Sequence, residues 1–149
     1  GIPIWMAASA EKPQRRMLQI GDGWFPNAQS PEAFTEGWNQ IEALAKDSGT
    51  DPGRLHKALY TTLNINEDKA QAEKEMREFI EGYYNMPFET MARTQSVFTG
   101  KVSEAQAWLK GFIDAGTETM VIRFGSPDQA GQLELCSQEV LPAVHSSAI

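Results

Sequence analysis

Four small residues, Ala7-Ala8-Ser9-Ala10, follow a short apolar run and lead directly into a helix. Small side chains let a ligand approach the backbone, and the first turn of a helix offers free N–H groups and a partial positive charge to a phosphate. The same residues also permit close packing of a strand on its helix, and no glycine-rich phosphate fingerprint accompanies them. A second candidate is Gly21-Asp22-Gly23. On its own this is a tight turn, with Asp22 capping local N–H groups. It is followed by Trp24-Phe25-Pro26, an aromatic wall at the carboxyl end of a strand, the side on which parallel α/β folds hold ligands.

Other reactive residue types are sparse. Arg123, near the end of a strand, either meets an anion at that rim or pairs with a neighbouring acid. His56 lies at the entering end of a strand, which favours structural use, and His145 falls in a tail expected to be loose. No Ser or Asp constellation accompanies either histidine, so no triad is expected. Cys136 falls on an apolar helix stripe and reads as core. The acidic stretch EDKAQAEKEMREFIE has no metal-ligand spacing and reads as a solvated helix face laced with charge pairs.

The elements that must position these residues follow from periodicity. Residues 3–8 (PIWMAA) read as a strand covered on both faces. A helix is expected over about residues 12–20, with Pro13 tolerated in its first turn. Trp24-Phe25 forms a very short second strand. Ser30-Pro31 opens a helix whose apolar face is Phe34, Trp38, Ile41 and Ala45, and Gly49 closes it. Residues 54–65 form the longest strand, with Leu55, Leu59, Leu63 and Ile65 on one buried face.

Asn66 is expected to cap the next helix, which buries Ala72, Met76, Phe79, Ile80 and Tyr83 and stops near Pro87. Residues 85–100 read as an excursion, part short helix and part loop. Ser103 with Gln106 forms a capping-box pattern that opens a helix running to Gly116. TMVIRF (119–124) is the fourth expected strand. A last helix starts at about Asp128 and buries Leu133, Cys136 and Val140. Strand and helix alternate throughout, which implies right-handed crossovers and a parallel sheet. Four units of a (β/α)8 barrel and a small open doubly wound sheet both fit.

The 149 residues, 41% of them hydrophobic, suit one core rather than two. Thirteen basic against 20 acidic residues give a formal charge of −7, against the basic stripe that binding nucleic acid needs. A single cysteine excludes an internal disulfide, and a reducing cytoplasmic setting is the simplest fit. No apolar run approaches the roughly 18 residues of a membrane span.

Several segments resemble the luciferase-like flavin-dependent oxidoreductases. PIWMAASAEKPQRRMLQIGDGWFPN is similar to that family's central signature, GKVSEAQAWLKGFIDAGTETMVIRF to the helix before its last barrel strand, and EVLPAV to its closing helix. The resemblance spans residues 2–144. It implies an α/β fold in which residues 1–149 form a single partial domain, the carboxyl-terminal half of a (β/α)8 barrel with about four β/α units. A whole barrel takes roughly 250 residues, so the buried opening strand is read as a cut within a longer chain.

The resemblance further implies flavin mononucleotide (FMN) or a deazaflavin coenzyme for monooxygenation or hydride transfer. Ala7, Ala8, Ser9 and Ala10, with alanines where the family more often has glycines, match its cofactor turn. Gly21, Asp22, Gly23 and Trp24 match its second signature. None is assigned to proton transfer. Alone, the chain is expected to keep part of the cofactor rim with little turnover. The competing expectation is a non-catalytic half-barrel that binds a ligand, and a homodimer covering the open strand edges is expected in either case.

Overall fold

A computed structural model describes residues 1–145. Its strands β1 (Trp5–Met6), β2 (Gly23–Trp24), β3 (His56–Ile65) and β4 (Val97–Gly100) form one sheet in that order, with a fifth strand, β5 (Thr119–Phe124), also paired with β3, and the β1–β2, β2–β3 and β3–β4 pairings are parallel. The chain divides into two compact units. The first comprises Gly1–Tyr60 with Phe112–Val121, and the second comprises Thr61–Gly111 with the chain from Ile122 onward.

In the first unit, β1 (Trp5–Met6) pairs with β2 (Gly23–Trp24), and β2 with the start of β3 (His56–Ile65). The expected strand over residues 3–8 is thus shorter than its apolar run. It is not covered on both faces either: Ile2 and Ile4 are 91% and 54% exposed, and Trp5 and Met6 are half-buried. Among the described residues β1 has a strand on one side only. Helix α1 (Glu11–Ile20) carries Pro13 in its first turn and buries Gln14, Met17 and Leu18.

Helix α2 (Pro31–Ser48) begins as its sequence predicts, because Ser30 Oγ accepts from Ala33 N at 3.2 Å and Pro31 needs no partner for a missing N–H. It ends at Gly49, whose φ of 66° suits a residue without Cβ. Its buried face is Phe34, Ile41, Leu44 and Ala45, and Phe34 meets Phe112 edge-on at 6.1 Å. Arg54 belongs to a 3-10 turn, Pro52–Arg54, rather than to β3.

In the second unit the rest of β3 pairs with β4 (Val97–Gly100), in the register Thr62↔Val97 to Ile65↔Gly100. The odd positions Leu59, Leu63 and Ile65 are buried as expected; so are Thr62 and Asn64 between them. The reason is α3 (Lys69–Tyr84), which lies against the even face, where Asn64 Nδ2 donates to Glu75 Oε2 at 2.8 Å. Asp68, not Asn66, caps α3. Its carboxylate accepts from Gln71 N at 3.1 Å while Asn66 Oδ1 accepts from Asp68 N at 2.9 Å, so Asn66 shapes the turn before the cap.

Ala72, Met76 and Ile80 are buried, Phe79 is half-buried, and Tyr83 is 66% exposed rather than core. The helix ends at Asn85, in the left-handed region at φ 52°. The excursion that follows holds α4 (Phe88–Met91) and, unexpectedly, β4. Helix α5 (Val102–Asp114) starts one residue ahead of the expected capping box. Glu104 Oε2, a stronger acceptor than a hydroxyl, takes Lys101 N at 3.1 Å.

Strand β5 (Thr119–Phe124) leads to α6 (Gln129–Leu135), which starts at about Asp128 as expected, with the Asp128 carboxylate capping it. A π-helical turn, Cys136–Val140, and α7 (Leu141–His145) follow. Leu133 was expected in the core and is 59% exposed, because its neighbour Gln132 takes the inward position. His145, expected in a loose tail, closes α7, while residues 146–149 of that tail lie outside the described residues. No helix among the described residues is long and apolar enough to cross a membrane.

Candidate functional site

The turn after β1 is held through two carbonyls. Met6 O accepts from Ala8 N and from Phe25 N, both at 3.0 Å. Ala8 O accepts from the indole Nε1 of Trp24 at 2.9 Å and, at the limit of a hydrogen bond, from Gln14 Nε2 at 3.5 Å. Ala8 is buried, and Ala7, Ser9 and Ala10 are exposed. Ala10 stands at the N-cap of α1 with no side-chain cap bond, and Pro13 has no N–H, which leaves the main-chain N–H groups of Glu11 and Lys12 at the opening of the helix. The Glu11 carboxylate, in the same turn, is tied to Arg15 Nε at 2.8 Å. An anion at this helix start therefore meets two uncapped N–H groups and a carboxylate already engaged elsewhere.

Gly21, Asp22 and Gly23 sit at the opposite, entering end of the strands. Asp22 Oδ2 accepts from Ile4 N at 2.8 Å, and its main-chain O accepts from His56 N at 2.9 Å, so this one residue ties the approaches to β1 and β3. Gly21 O accepts from Arg54 NH1 at 2.7 Å. A Cβ on Gly23 would stand 2.5 Å from Trp5 Cδ1 and 2.9 Å from His56 O. Of the eight residues singled out in the sequence, then, Ala7–Ala10 gather with the Trp24 indole at one end, and Gly21–Gly23 brace the other.

The remaining candidates fall as follows. The His56 ring stacks on Trp5 at 4.8 Å, with Nε2 2.8 Å from Thr119 Oγ1. The Arg123 guanidinium lies over Tyr83, Phe79 and Tyr84 at 4.9, 5.1 and 5.5 Å, and its Nε donates to Thr62 Oγ1 at 3.1 Å. Cys136 is buried, which pushes its thiol up from the ordinary value and away from nucleophilic use. The acidic helix carries the i,i+4 pairs Lys69–Glu73, Lys74–Glu78 and Arg77–Glu81 on a solvated face. Among the described residues no three His, Cys, Asp or Glu side chains are placed to hold a metal ion.

Glu75 is the residue that the sequence reading passed over. Its carboxylate takes bonds from Asn64 Nδ2 at 2.8 Å, Gln71 Nε2 at 2.8 Å and Ser126 Oγ at 2.9 Å, and these hold it below the ordinary carboxylate range, Asn64 contributing most. The signal was its place beside Met76 at the border of the apolar stripe, within a run otherwise made of surface pairs.

Comparison with known proteins gives a family and a fold. The model of the luciferase-like monooxygenase family matches residues 1–133. An F420-dependent secondary alcohol dehydrogenase superposes with a TM-score of 0.76 at 17% identity, over 97% of this chain and 49% of its own. The coenzyme F420-dependent tetrahydromethanopterin reductase of Methanopyrus kandleri gives 0.67 at 21% identity, over 95% and 50%. Flavoprotein 390 gives 0.72 at 16% identity, over 98% and 68%. The chain spans about half the length of the first two structures. The parallel pairing, the alternation of strand and helix and this half coverage agree with the expected α/β class, half of a (β/α)8 barrel. With the family model matched over most of its length, the chain belongs to the luciferase-like monooxygenase family.

Proposed function

We infer that this chain supplies one half of a flavin or deazaflavin site in an oxidoreductase of its family, and that it turns over little substrate alone. The observation that carries the reading is the uncapped start of α1 behind an exposed turn of small residues, with Ala8 O fixed by Trp24. Ala7, Ser9 and Ala10 present the contact surface, Ala8 and Trp24 set its shape, and Gly21, Asp22 and Gly23 act on it through the strands they brace. Support comes from the family match and from neighbours named for such cofactors: an F420-acetone adduct in the alcohol dehydrogenase, and modified FMN in a riboflavin lyase. The bound cofactor would supply the redox chemistry, and these residues its seat.

Titration with FMN and with a deazaflavin coenzyme, followed by fluorescence, is expected to show binding of one of them without turnover. Turnover by this chain alone would overturn the half-site reading, and binding of neither would overturn the cofactor assignment.

A second reading, a non-catalytic half-barrel working as a homodimer, is favoured by apolar residues left in solvent on the first unit: Ile2, Ile4 and, on β5, Val121 at 40% exposure. Natural proteins seldom leave such strand edges bare. Light scattering at micromolar concentration is expected to give the mass of two chains under either reading; a monomer would overturn the homodimer expectation.

A further inference from the structure

Two indoles of the first unit stand in series behind the small-residue turn. Trp24 is 2% exposed, and its Nε1 donates to Ala8 O at 2.9 Å. Its ring centroid lies 6.1 Å from that of Trp38, within the range of aromatic rings in contact. Trp38 is half-buried on α2, and its own Nε1 donates to Glu42 Oε1 at 2.8 Å. A buried indole at the turn is thus followed by one nearer solvent, with a carboxylate on the outer N–H. Phe34, 4.8 Å from Trp24, only packs there, because a benzene ring is much harder to oxidise than an indole.

An electron passes between rings in contact without any opening to solvent, so the burial of Trp24 is no obstacle to it. An electron vacancy on Trp24 would be a cation in apolar surroundings, which burial disfavours. At Trp38 the Lys57 ammonium lies over the ring at 4.7 Å and also opposes a cation. Glu42 removes that conflict. An oxidised indole is a far stronger acid than a neutral one, so its N–H proton passes along the 2.8 Å bond to the carboxylate and leaves a neutral radical. That proton transfer sets the direction, outward from the turn.

We propose that Trp24 and Trp38 form a relay that leads oxidising equivalents from a flavin-class cofactor at the Ala7–Ala10 turn to the surface of α2. This rests on the cofactor reading above and gives a redox role to two side chains that otherwise only pack. Trp24 gives one electron to the photo-excited, oxidised flavin. Trp38 returns one electron to Trp24 and loses its Nε1 proton to Glu42.

The test first oxidises the turn without any cofactor. Ala10 is exposed and the native thiol of Cys136 is buried, so Ala10→Cys accepts a thiol-reactive ruthenium polypyridyl photo-oxidant at one place. After a flash with a soluble electron acceptor present, transient absorption is expected to show a neutral tryptophan radical. Trp38→Phe and Trp24→Phe are each expected to abolish it, while Trp5→Phe, which removes the indole of β1, leaves it unchanged. Glu42→Gln still accepts the N–H bond but is a much poorer base, so the radical is expected to stay cationic and to disappear faster. Packing alone would give none of these spectral differences.

A neutral radical that survives Trp38→Phe, one that is lost in Trp5→Phe, or no radical in the labelled wild-type background would each overturn the relay. Wild-type protein mixed with FMN under blue light is expected to give the same radical. A relay that works from the label in a protein that binds no FMN defeats the cofactor reading alone. FMN binding with no radical from the label or from the flavin defeats this inference alone.

Discussion

Trp24→Ala is expected to cost about 3–5 kcal/mol, the range for removing a large buried aromatic side chain. The indole is 2% exposed, packs on Phe34 at 4.8 Å and Trp38 at 6.1 Å, and approaches α2 so closely that a Cβ on Gly37 would stand 2.8 Å from its ring. Alanine leaves a cavity between β2 and α2 and takes the better donor from Ala8 O, whose remaining bond is the 3.5 Å contact with Gln14. For a chain of this length the loss corresponds to a drop of roughly 10 °C in melting temperature.

Trp24→Phe separates the two contributions. It refills most of the cavity but supplies no N–H, so its cost should stay near the about 0.5–1.5 kcal/mol of one hydrogen bond. Amide exchange at Ala8 and Ser9 should still quicken, because the turn has lost its anchor. Calorimetry with residue-level hydrogen exchange reads both; a Trp24→Ala variant as stable as the wild type would show that the indole does not hold this unit together.

The second large effect belongs to Gln132. Its amide closes a reciprocal pair with one residue of the central strand: Nε2 donates to Ile65 O at 2.8 Å, and Oε1 accepts from Ile65 N at 2.7 Å. Leucine has a similar volume and none of these groups, so Gln132→Leu leaves a buried main-chain donor and a buried acceptor unpaired at the end of β3. At about 1–3 kcal/mol for each orphan, a destabilisation of about 2–4 kcal/mol is expected, read as a lower urea midpoint with little change in slope.

Gln132→Glu should not rescue the strand end at neutral pH. One carboxylate oxygen can take Ile65 N, but the other is set against Ile65 O. A leucine variant with an unchanged midpoint would mean that water meets Ile65 as well as the amide does.

These two sites mark where sequence patterning was informative and where it was not. Trp24 was legible only in part: its short strand was expected, but the ring, read as part of an aromatic wall at the ligand end, is 2% exposed and packs on Phe34 and Trp38 of α2. Ser30-Pro31 and Gly49 were legible for a local reason: a helix end is set by a capping side chain within a few residues or by a residue that can turn left-handed. Asp68 and Glu104 show the limit of that logic. Several capping residues stood close together, and acceptor strength and chain direction chose among them.

Gln132, Gln14 and Glu75 were not legible. Each is a polar residue on an inward-facing helix position, and its value depends on partners 67, 6 and 11 residues away. β4 was missed because Val-Phe-Thr-Gly is too short for a period to show, and it becomes a strand only through its pairing with β3.

The sequence by itself determined the alternation of strands and helices, most helix ends, the family and the small-residue turn at Ala7–Ala10, since these rest on periodicity, capping and a signature read along the chain. Only the tertiary structure decided that Gly21, Asp22 and Gly23 brace the far end of the strands while the Trp24 indole crosses to Ala8 O. It alone decided, too, that Gln14 is buried beside that turn. The physical reason is that hydrogen bonds between elements depend on register and burial, and neither is fixed until strands pair and helices pack.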